Sequence, residues 1–409
     1  MANGRSILYL SYDGMTDPLG PSQVLPYLFA LRRLGFEFDL ISCEKPDRLA
    51  AGGAEIAASC KAAGINWHPL PYTKQPPVIS TVRDLVAMRR LAERLHSTRK
   101  FDIIHCRSQL TALIGKALKR KYGTNLLFDM RGYWPDERVD GGLWNLRNPL
   151  YRGIYRWFRR SEDELLQSSD HVVSLTEVAQ EQMVARDLSD LAPITVIPCC
   201  TDFAAFPPIT SSARNAAREL LQIDPQAPVA AYLGSIGTWY LLDEMLDFFR
   251  EQLRRRNDSR FLLVTRDEAE PIETAAEARG IDRRSLIIRP ASRAQVPQLL
   301  AAADYGLFFI KPAPSKAASS PVKLGELLGL ELPIVTNSGV GDVDRIMEEL
   351  GAGVLVPDFT ADAYHAALDA LARFEPDMER LRAGRSRWFE LSEGVRRYAG
   401  IYETLESPK

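Results

Sequence analysis

The sequence predicts an α/β protein of two doubly wound domains in tandem, each a parallel sheet flanked by helices. Three observations carry this. With 409 residues the chain is too long for one core, since cores stop growing at roughly 250–300 residues. Short apolar runs alternate with longer amphipathic segments, the pattern of parallel strands joined by single crossover helices. The pattern runs once to about residue 198 and restarts near residue 228.

In the first half, SILYLSY (6–12) reads as a buried strand, PSQVLPYLFALRRLG (21–35) as a helix ending at Gly35, and FEFDLISC (36–43) as the next strand. A helical pattern over 80–98 leads to strand FDIIHC (101–106), and a helix over 109–121 leads to NLLFDM (125–130). Helix 150–168 and strands 171–176 and 194–198 complete the half. The second half offers strands at 228–234, 260–265, 285–290, 305–310, 332–337 and 353–357, separated by helices at 240–254, 270–279, 293–303, 322–330 and near 342–350. The small-residue and Pro-rich stretch 201–217 reads as the linker. Two such domains are expected to bind ligand in a cleft at the carboxyl ends of their strands.

Composition narrows the function. Lys plus Arg number 51 against 53 Asp plus Glu, a net charge of -2, which gives no footing for a nucleic-acid partner. Five cysteines without zinc or CxxC spacing suggest neither a disulfide framework nor a metal site. The start MANGRSILYLSYDG lacks the apolar run of a signal peptide, and no stretch approaches the ~20 apolar residues of a membrane span. The expectation is a cytoplasmic protein, free to touch the inner face of a membrane.

Candidate chemistry lies in the loops. SYDGMTDPLGPSQ (11–23) leaves the first strand with Asp13, Gly14, Gly20 and Gln23 and enters a helix near Ser22, where glycines and free amides suit an anion or a hydroxyl-rich ligand. It is not a GxGxxG dinucleotide fingerprint. The loop 128–144 mixes Arg131, Asp136, Glu137 and Arg138 with Trp134 and Trp144, groups that serve as bases or stack on sugar rings, or else form a salt-bridged surface loop. The basic, aromatic segment 143–160 reads either as a membrane-surface helix or as a domain helix with Leu150, Ile154, Trp157 and Phe158 facing the core, and the second reading is favoured. In the second half, Gly234 and Gly237 lie between a strand and a helix. Arg266 ends a strand, placed for a ligand or for an ion pair with Asp267 or Glu268. Lys311, Lys316, Ser319 and Lys323 precede or open a helix begun near Pro321, and helix-start amides plus Lys make a phosphate site. Glu326, one turn after Lys323, could accept from ribose hydroxyls or form a surface pair with that Lys.

These segments together resemble glycosyltransferase family 4 and its GT-B relatives across nearly the whole chain. The opening SYDGMTDPLGPSQVLPYLFALRRLG, the run HVVSLTEVAQEQM with ITVIPCCTDFAAF, the donor-like SPVKLGELLGLELPIVTNSGVGD and the terminal WFELSEGVRRYAGIYETL carry the similarity. The resemblance implies two Rossmann-like domains, an acceptor-side domain over 1–205 and a nucleotide-sugar domain over 206–385, with a helix over 386–409 crossing back. It puts Glu326 in the place of a family donor glutamate, and with the residue reading the expected donor site is Gly234, Gly237, Arg266, Lys311, Ser319, Lys323 and Glu326, beside a cleft loop using Gly20, Gln23, Arg131, Trp134 and Arg138. The family's first donor glutamate is Ala318 here, and GSIGTWYLLDE lacks its usual Arg and Lys. Retention of anomeric configuration is implied. An inverting reaction with Asp13, Asp136 or Glu137 as base is the other option. The expected partners are a nucleotide sugar as co-substrate and a glycan or lipid-linked acceptor of surface-polysaccharide or lipopolysaccharide synthesis, with no cofactor or metal. A nucleotide-sugar epimerase of the same fold and a non-catalytic carbohydrate-binding relative are the competing readings.

Overall fold

A computed structural model describes residues 4–405; the outermost residues of the first and last predicted segments, 1–3 and 406–409, lie outside it. The chain forms two compact units. One runs through Cys200 and is rejoined from Leu391 onward, and the other spans Thr201–Glu390, where the sequence reading places its limits at 206 and 385.

The first unit is a seven-stranded parallel sheet of β1 (Ser6–Ser11), β2 (Glu37–Glu44), β3 (Asn66–Pro71), β4 (Ile103–Arg107), β5 (Asn125–Asp129), β6 (His171–Ser174) and β7 (Ile194–Val196), in the order 3-2-1-4-5-6-7. The second holds six parallel strands, β8 (Val229–Leu233), β9 (Arg260–Val264), β10 (Leu286–Arg289), β11 (Tyr305–Phe308), β12 (Ile334–Asn337) and β13 (Gly353–Val356), in the order 10-9-8-11-12-13. Each sheet is Rossmann-like. Its order reverses once, between β1 and β4 or between β8 and β11, and an open α/β sheet binds ligands beside such a reversal.

The central strands are apolar almost throughout because helices cover both faces. Helix Leu391–Thr404 completes the first core: Tyr398 packs edge-on to Tyr27 at 5.5 Å, and the fully buried Tyr402 packs against Phe36 at 5.2 Å. All five cysteines are buried and none forms a disulfide.

Several expectations change. The stretch 201–217 is not simply a linker: Thr210 caps a helix over Ser211–Leu220 by accepting from the Ala213 amide at 3.1 Å, and its alanines favour helix as much as coil. The loop at 128–144 contains a helix, Trp134–Asp140. Helix Pro46–Ala62 and strand β3 were not expected. The two prolines of β3 suit an edge strand, which needs fewer ladder donors.

Candidate active site

In the second unit the loops leaving β8, β9, β11 and β12 are tied together beside the strand reversal. The Ile236 amide donates to the Asp267 carboxylate and the Lys311 amide to the Trp239 carbonyl at 2.8 Å. Asn337 brackets Ile310, accepting from its amide at 2.7 Å and donating to its carbonyl at 3.0 Å. Gly234 and Gly237 have φ of +112° and +118°, where an L side chain is strained. A Cβ on Gly234 would also lie 3.4 Å from Lys323 Nζ. That glycine is therefore fixed both by its backbone and by the lysine above it.

Helix Val322–Gly329 presents Lys323 and Glu326, which are 5% and 6% exposed. They do not form a surface pair. Glu326 accepts from Arg293 at 2.7 Å, while Lys323 Nζ lies 3.3 Å from the ring centroid of Tyr240 and 3.8 Å from that of Tyr232. Among the described residues Lys323 Nζ has no hydrogen-bond partner. Burial pushes its pKa well below the ordinary lysine value, and the nearby Glu326 opposes this only in part. Burial likewise raises the Glu326 carboxyl, with Arg293 pulling the other way. Aromatic faces stabilise an ammonium but accept none of its three N–H bonds in full, so an anionic oxygen would complete this site.

Other predicted donor residues lie farther out. Lys316 is buried with Nζ 3.8 Å from the Trp239 ring, Ser319 is half-buried, and Lys311 is exposed. Arg266 is exposed and donates to the Ala291 carbonyl at 3.3 Å, while Asp267 is taken up by the Ile236 amide.

In the first unit, Asp13 follows β1 at the reversal and faces the buried Arg107 of β4, with Oδ2 3.6 Å from Nε. Arg107 Nε and Nη1 are buried without hydrogen-bond partners among the described residues. Beneath them lies a buried polar group. Asp129 is 3.3 Å from Arg131 Nη1 and 3.4 Å from His105 Nε2, and His105 Nδ1 is 2.6 Å from the Tyr402 hydroxyl. Burial lowers the His105 pKa and keeps the ring neutral. A carboxylate only accepts, so Nε2 carries the ring proton and Nδ1 accepts from Tyr402. Burial by itself pushes Asp129 up, but Arg131, His105 and Arg107 together hold it far below the usual carboxylate range.

The loop after β1 is built differently from the expectation. Gly20 opens a π-helical turn, Gly20–Val24, that runs into helix Leu25–Arg33; a Cβ there would lie 2.4 Å from the Met15 carbonyl oxygen, so close packing inside the loop already requires this glycine. Gln23 is buried and donates to the Cys200 carbonyl at 3.1 Å, an internal task. The residue that organises the loop is Glu44, fully buried, which accepts from the Met15 amide at 2.6 Å, the Thr16 amide at 3.1 Å and the Thr16 hydroxyl at 2.5 Å. Sequence reasoning missed it because it stands one residue past the apolar run of β2.

Asp136 is engaged by Tyr155 at 2.8 Å and Arg159 at 2.9 Å, which leaves its carboxylate poorly disposed as a base, and Glu137 is half-buried beside it. Trp134 packs on Phe158 at 4.7 Å and carries Arg138 over its ring at 4.8 Å. The core-facing reading of helix Pro149–Ser168 is corrected: Leu150 and Trp157 are 64% and 53% exposed, because the stripe they belong to is wider than the core beneath it. Among the described residues no group of three or more His, Cys, Asp or Glu is placed to hold a metal ion, and no helix is long and apolar enough to cross a membrane.

Comparison with known proteins matches residues 23–200 to the glycosyl transferase 4-like domain and residues 227–373 to glycosyl transferases group 1. D-inositol 3-phosphate glycosyltransferase of Kineococcus radiotolerans is 24% identical over 301 residues, 68% of this chain and 65% of the relative. The namesake from Mycobacterium sp. (strain KMS) is 23% identical over 265 residues, 61% of this chain and 56% of the relative. The chain thus spans less than two thirds of the length of these relatives. Among solved structures, sucrose-phosphate synthase from Thermosynechococcus elongatus superposes with a TM-score of 0.75 at 15% identity, over 98% of this chain and 99% of that one. HepE of Anabaena, in complex with UDP-glucose, gives 0.68 at 14% identity, over 98% and 99%. WaaG, a glycosyltransferase involved in lipopolysaccharide biosynthesis, gives 0.65 at 17%, over 97% and 99%. At these identities the likeness is one of fold.

Proposed function

Because the chain belongs to the GT-B glycosyltransferases, joining a glycosyl transferase 4-like domain to a group 1 domain, we propose that it transfers a sugar from a nucleotide-sugar donor to a hydroxyl of a glycan or lipid-linked acceptor. The observation that carries this reading is Lys323, a buried lysine without a hydrogen-bond partner among the described residues, beside a left-handed glycine at the strand reversal. A diphosphate oxygen supplies what its ammonium lacks. Glu326, held by Arg293, is left to accept from the ribose hydroxyls. That a neighbour of the same fold was solved with UDP-glucose supports a nucleoside diphosphate sugar as the donor class.

When the glycosidic bond to phosphate breaks, its electron pair passes to the phosphate oxygen. In this reading Lys323 and the first amides of helix Val322–Gly329 meet that charge, the role that the sequence reading expects protein groups to fill without a metal. We read the transfer as retaining, as the family resemblance implies, with Asp13 as the base candidate if it inverts. Surface-polysaccharide or lipopolysaccharide assembly is the setting of this reading, and WaaG is a fold neighbour from it.

A thermal-shift screen against nucleoside diphosphates and their sugars tests the donor. A ligand at a hundred times its Kd stabilises by about 2.7 kcal/mol, and no shift with any of them overturns the reading. Product analysis with donor alone separates a transferase from an epimerase, and NMR of the new linkage reports retention or inversion. Gly234→Ala is expected to weaken donor binding at least tenfold while the unit stays folded, because the strained backbone and the 3.4 Å contact both displace Lys323. Titration calorimetry with the donor checks it.

A further inference from the structure

The first unit contains a cavity of about 840 Å³ that the donor site does not use. It opens at the carboxyl edge of the sheet, between residues that follow β1, β3, β4 and β5 and the outward face of helix Pro149–Ser168. Its volume falls in the range of small-molecule sites, and its wall is mostly apolar. Leu85, Leu110, Leu113, Trp134, Ile154 and Phe158 present hydrocarbon and aromatic surface, which makes up most of the wall, while Tyr12, Ser80, Thr81 and Tyr151 add hydroxyl groups. Around the opening, Val78, Ile79, Val82, Leu143, Leu150 and Trp157 are between 44% and 66% exposed. Large apolar side chains seldom gather on a water-facing surface without a partner.

Charge identifies the partner. Residues 143–160 hold five arginines and no Asp or Glu, and Arg147, Arg152, Arg156 and Arg160 are exposed. Lys74 and Arg138 stand on the cavity wall itself. On helix Pro149–Ser168, Leu150, Gly153, Ile154 and Trp157 follow the i, i+3, i+4, i+7 spacing of one face, while Arg152, Arg156 and Arg160 run along another. An apolar cavity with an apolar lip and a cationic surround is complementary to an amphiphile with a hydrocarbon chain and an anionic head. A sugar alone leaves the walls unused, and an uncharged apolar partner leaves the arginines unused.

We propose that this cavity holds the hydrocarbon chain of an anionic lipid acceptor in a membrane leaflet, with Ile79, Leu150 and Trp157 entering the leaflet and the arginines at the level of the phosphates. The word acceptor rests on the transferase reading; the binding of the chain does not.

Gly153 lines the cavity on a helix, and a Cβ there meets no atom within 4 Å. Gly153→Trp therefore blocks the opening without burying a clash, and it removes a helix-weakening glycine. The test measures binding of dodecyl phosphate and butyl phosphate, below their micelle concentrations, to the full chain by titration calorimetry. Each methylene buried tightens binding about fourfold, so dodecyl phosphate is expected to bind at least roughly a hundredfold more tightly than butyl phosphate. Gly153→Trp is expected to lose at least tenfold of that affinity while keeping its Tm and its response to nucleotide sugars, and Leu113→Trp, on the wall made by helix Gln109–Tyr122, narrows the cavity as a second variant. Pelleting with phosphatidylcholine vesicles containing phosphatidylglycerol is expected to fall at least fivefold in the Arg152→Glu, Arg156→Glu double variant. Equal affinity for both chain lengths, or undiminished dodecyl phosphate binding in both tryptophan variants, overturns the proposal. Dodecyl phosphate binding without any nucleotide-sugar binding leaves the cavity assigned and sinks the transferase reading instead.

Discussion

Replacing Lys323 with Met is expected to stabilise the second unit and to abolish nucleotide-sugar binding. The two effects have one cause. Lys323 Nζ is buried against Tyr232 and Tyr240 with no hydrogen-bond partner among the described residues, so the ligand-free fold either desolvates an ammonium or gives up its proton, a cost that an anionic ligand repays. Met keeps the length and packing of the side chain and removes that cost, for a gain of about 1–3 kcal/mol, or some 2–4 °C in Tm per kcal/mol for a unit of this size. The pH dependence follows from the sign of the shift. The folded pKa lies well below the ordinary value near ~10.4. Between the two, the unfolded chain holds a proton that the folded chain does not, so stability of the ligand-free protein rises with pH across that window, and the Met variant lacks this slope. Donor affinity runs the other way. The diphosphate favours the ammonium, so binding is strongest at the lower end of the window and weakens as pH climbs. Urea unfolding and donor titration across pH check both. A Met variant that is less stable and still binds donor removes Lys323 from the site.

What the sequence made legible and what it hid have physical reasons. The buried strands stood out because both faces of each sheet are covered, which leaves their runs nearly continuous in apolar residues. Lys323 and Glu326 were legible as neighbours on one helix, but their partners were not. Arg293 reaches Glu326 from 33 residues away, and the aromatic rings beneath Lys323 come from the end of β8 and the loop beyond it. Glu44 was invisible for a similar reason: it acts on the backbone of a loop 28 residues earlier, and no local pattern records that. Helix Pro149–Ser168 shows the opposite limit. Its periodicity marks an apolar stripe, but periodicity does not say whether protein covers that stripe, and at Leu150 and Trp157 protein does not. The stretch 201–217 misled because alanine, serine and threonine serve a linker or a capped helix equally well.

The largest loss of stability is expected from Asp129→Ala. Asp129 is 1% exposed and is the carboxylate partner of Arg131, which is itself 10% exposed at its side chain, and it also faces His105 and Arg107. Removing it leaves a guanidinium buried without its counter-charge, which costs about 3–5 kcal/mol. It also frees the ring of His105, whose other nitrogen accepts from Tyr402 on the last helix, so the loss reaches the packing of Leu391–Thr404. Because the folded pKa of Asp129 is depressed, its contribution is complete above the unfolded value near ~3.9 and is lost as pH falls through the folded value. The natural protein should therefore lose stability in acid more steeply than the variant, and the two should converge there. A second substitution separates charge from packing. Arg131→Met in the Asp129→Ala background removes the orphaned cation and is expected to recover about half of the loss, since a buried pair exchanged for apolar groups is often near neutral. Urea denaturation of the single and double variants measures the coupling. A single variant that loses less than about 1 kcal/mol, the scale of an exposed ion pair, means that water reaches Arg131 and that the buried group is not what holds the first sheet and its last helix together.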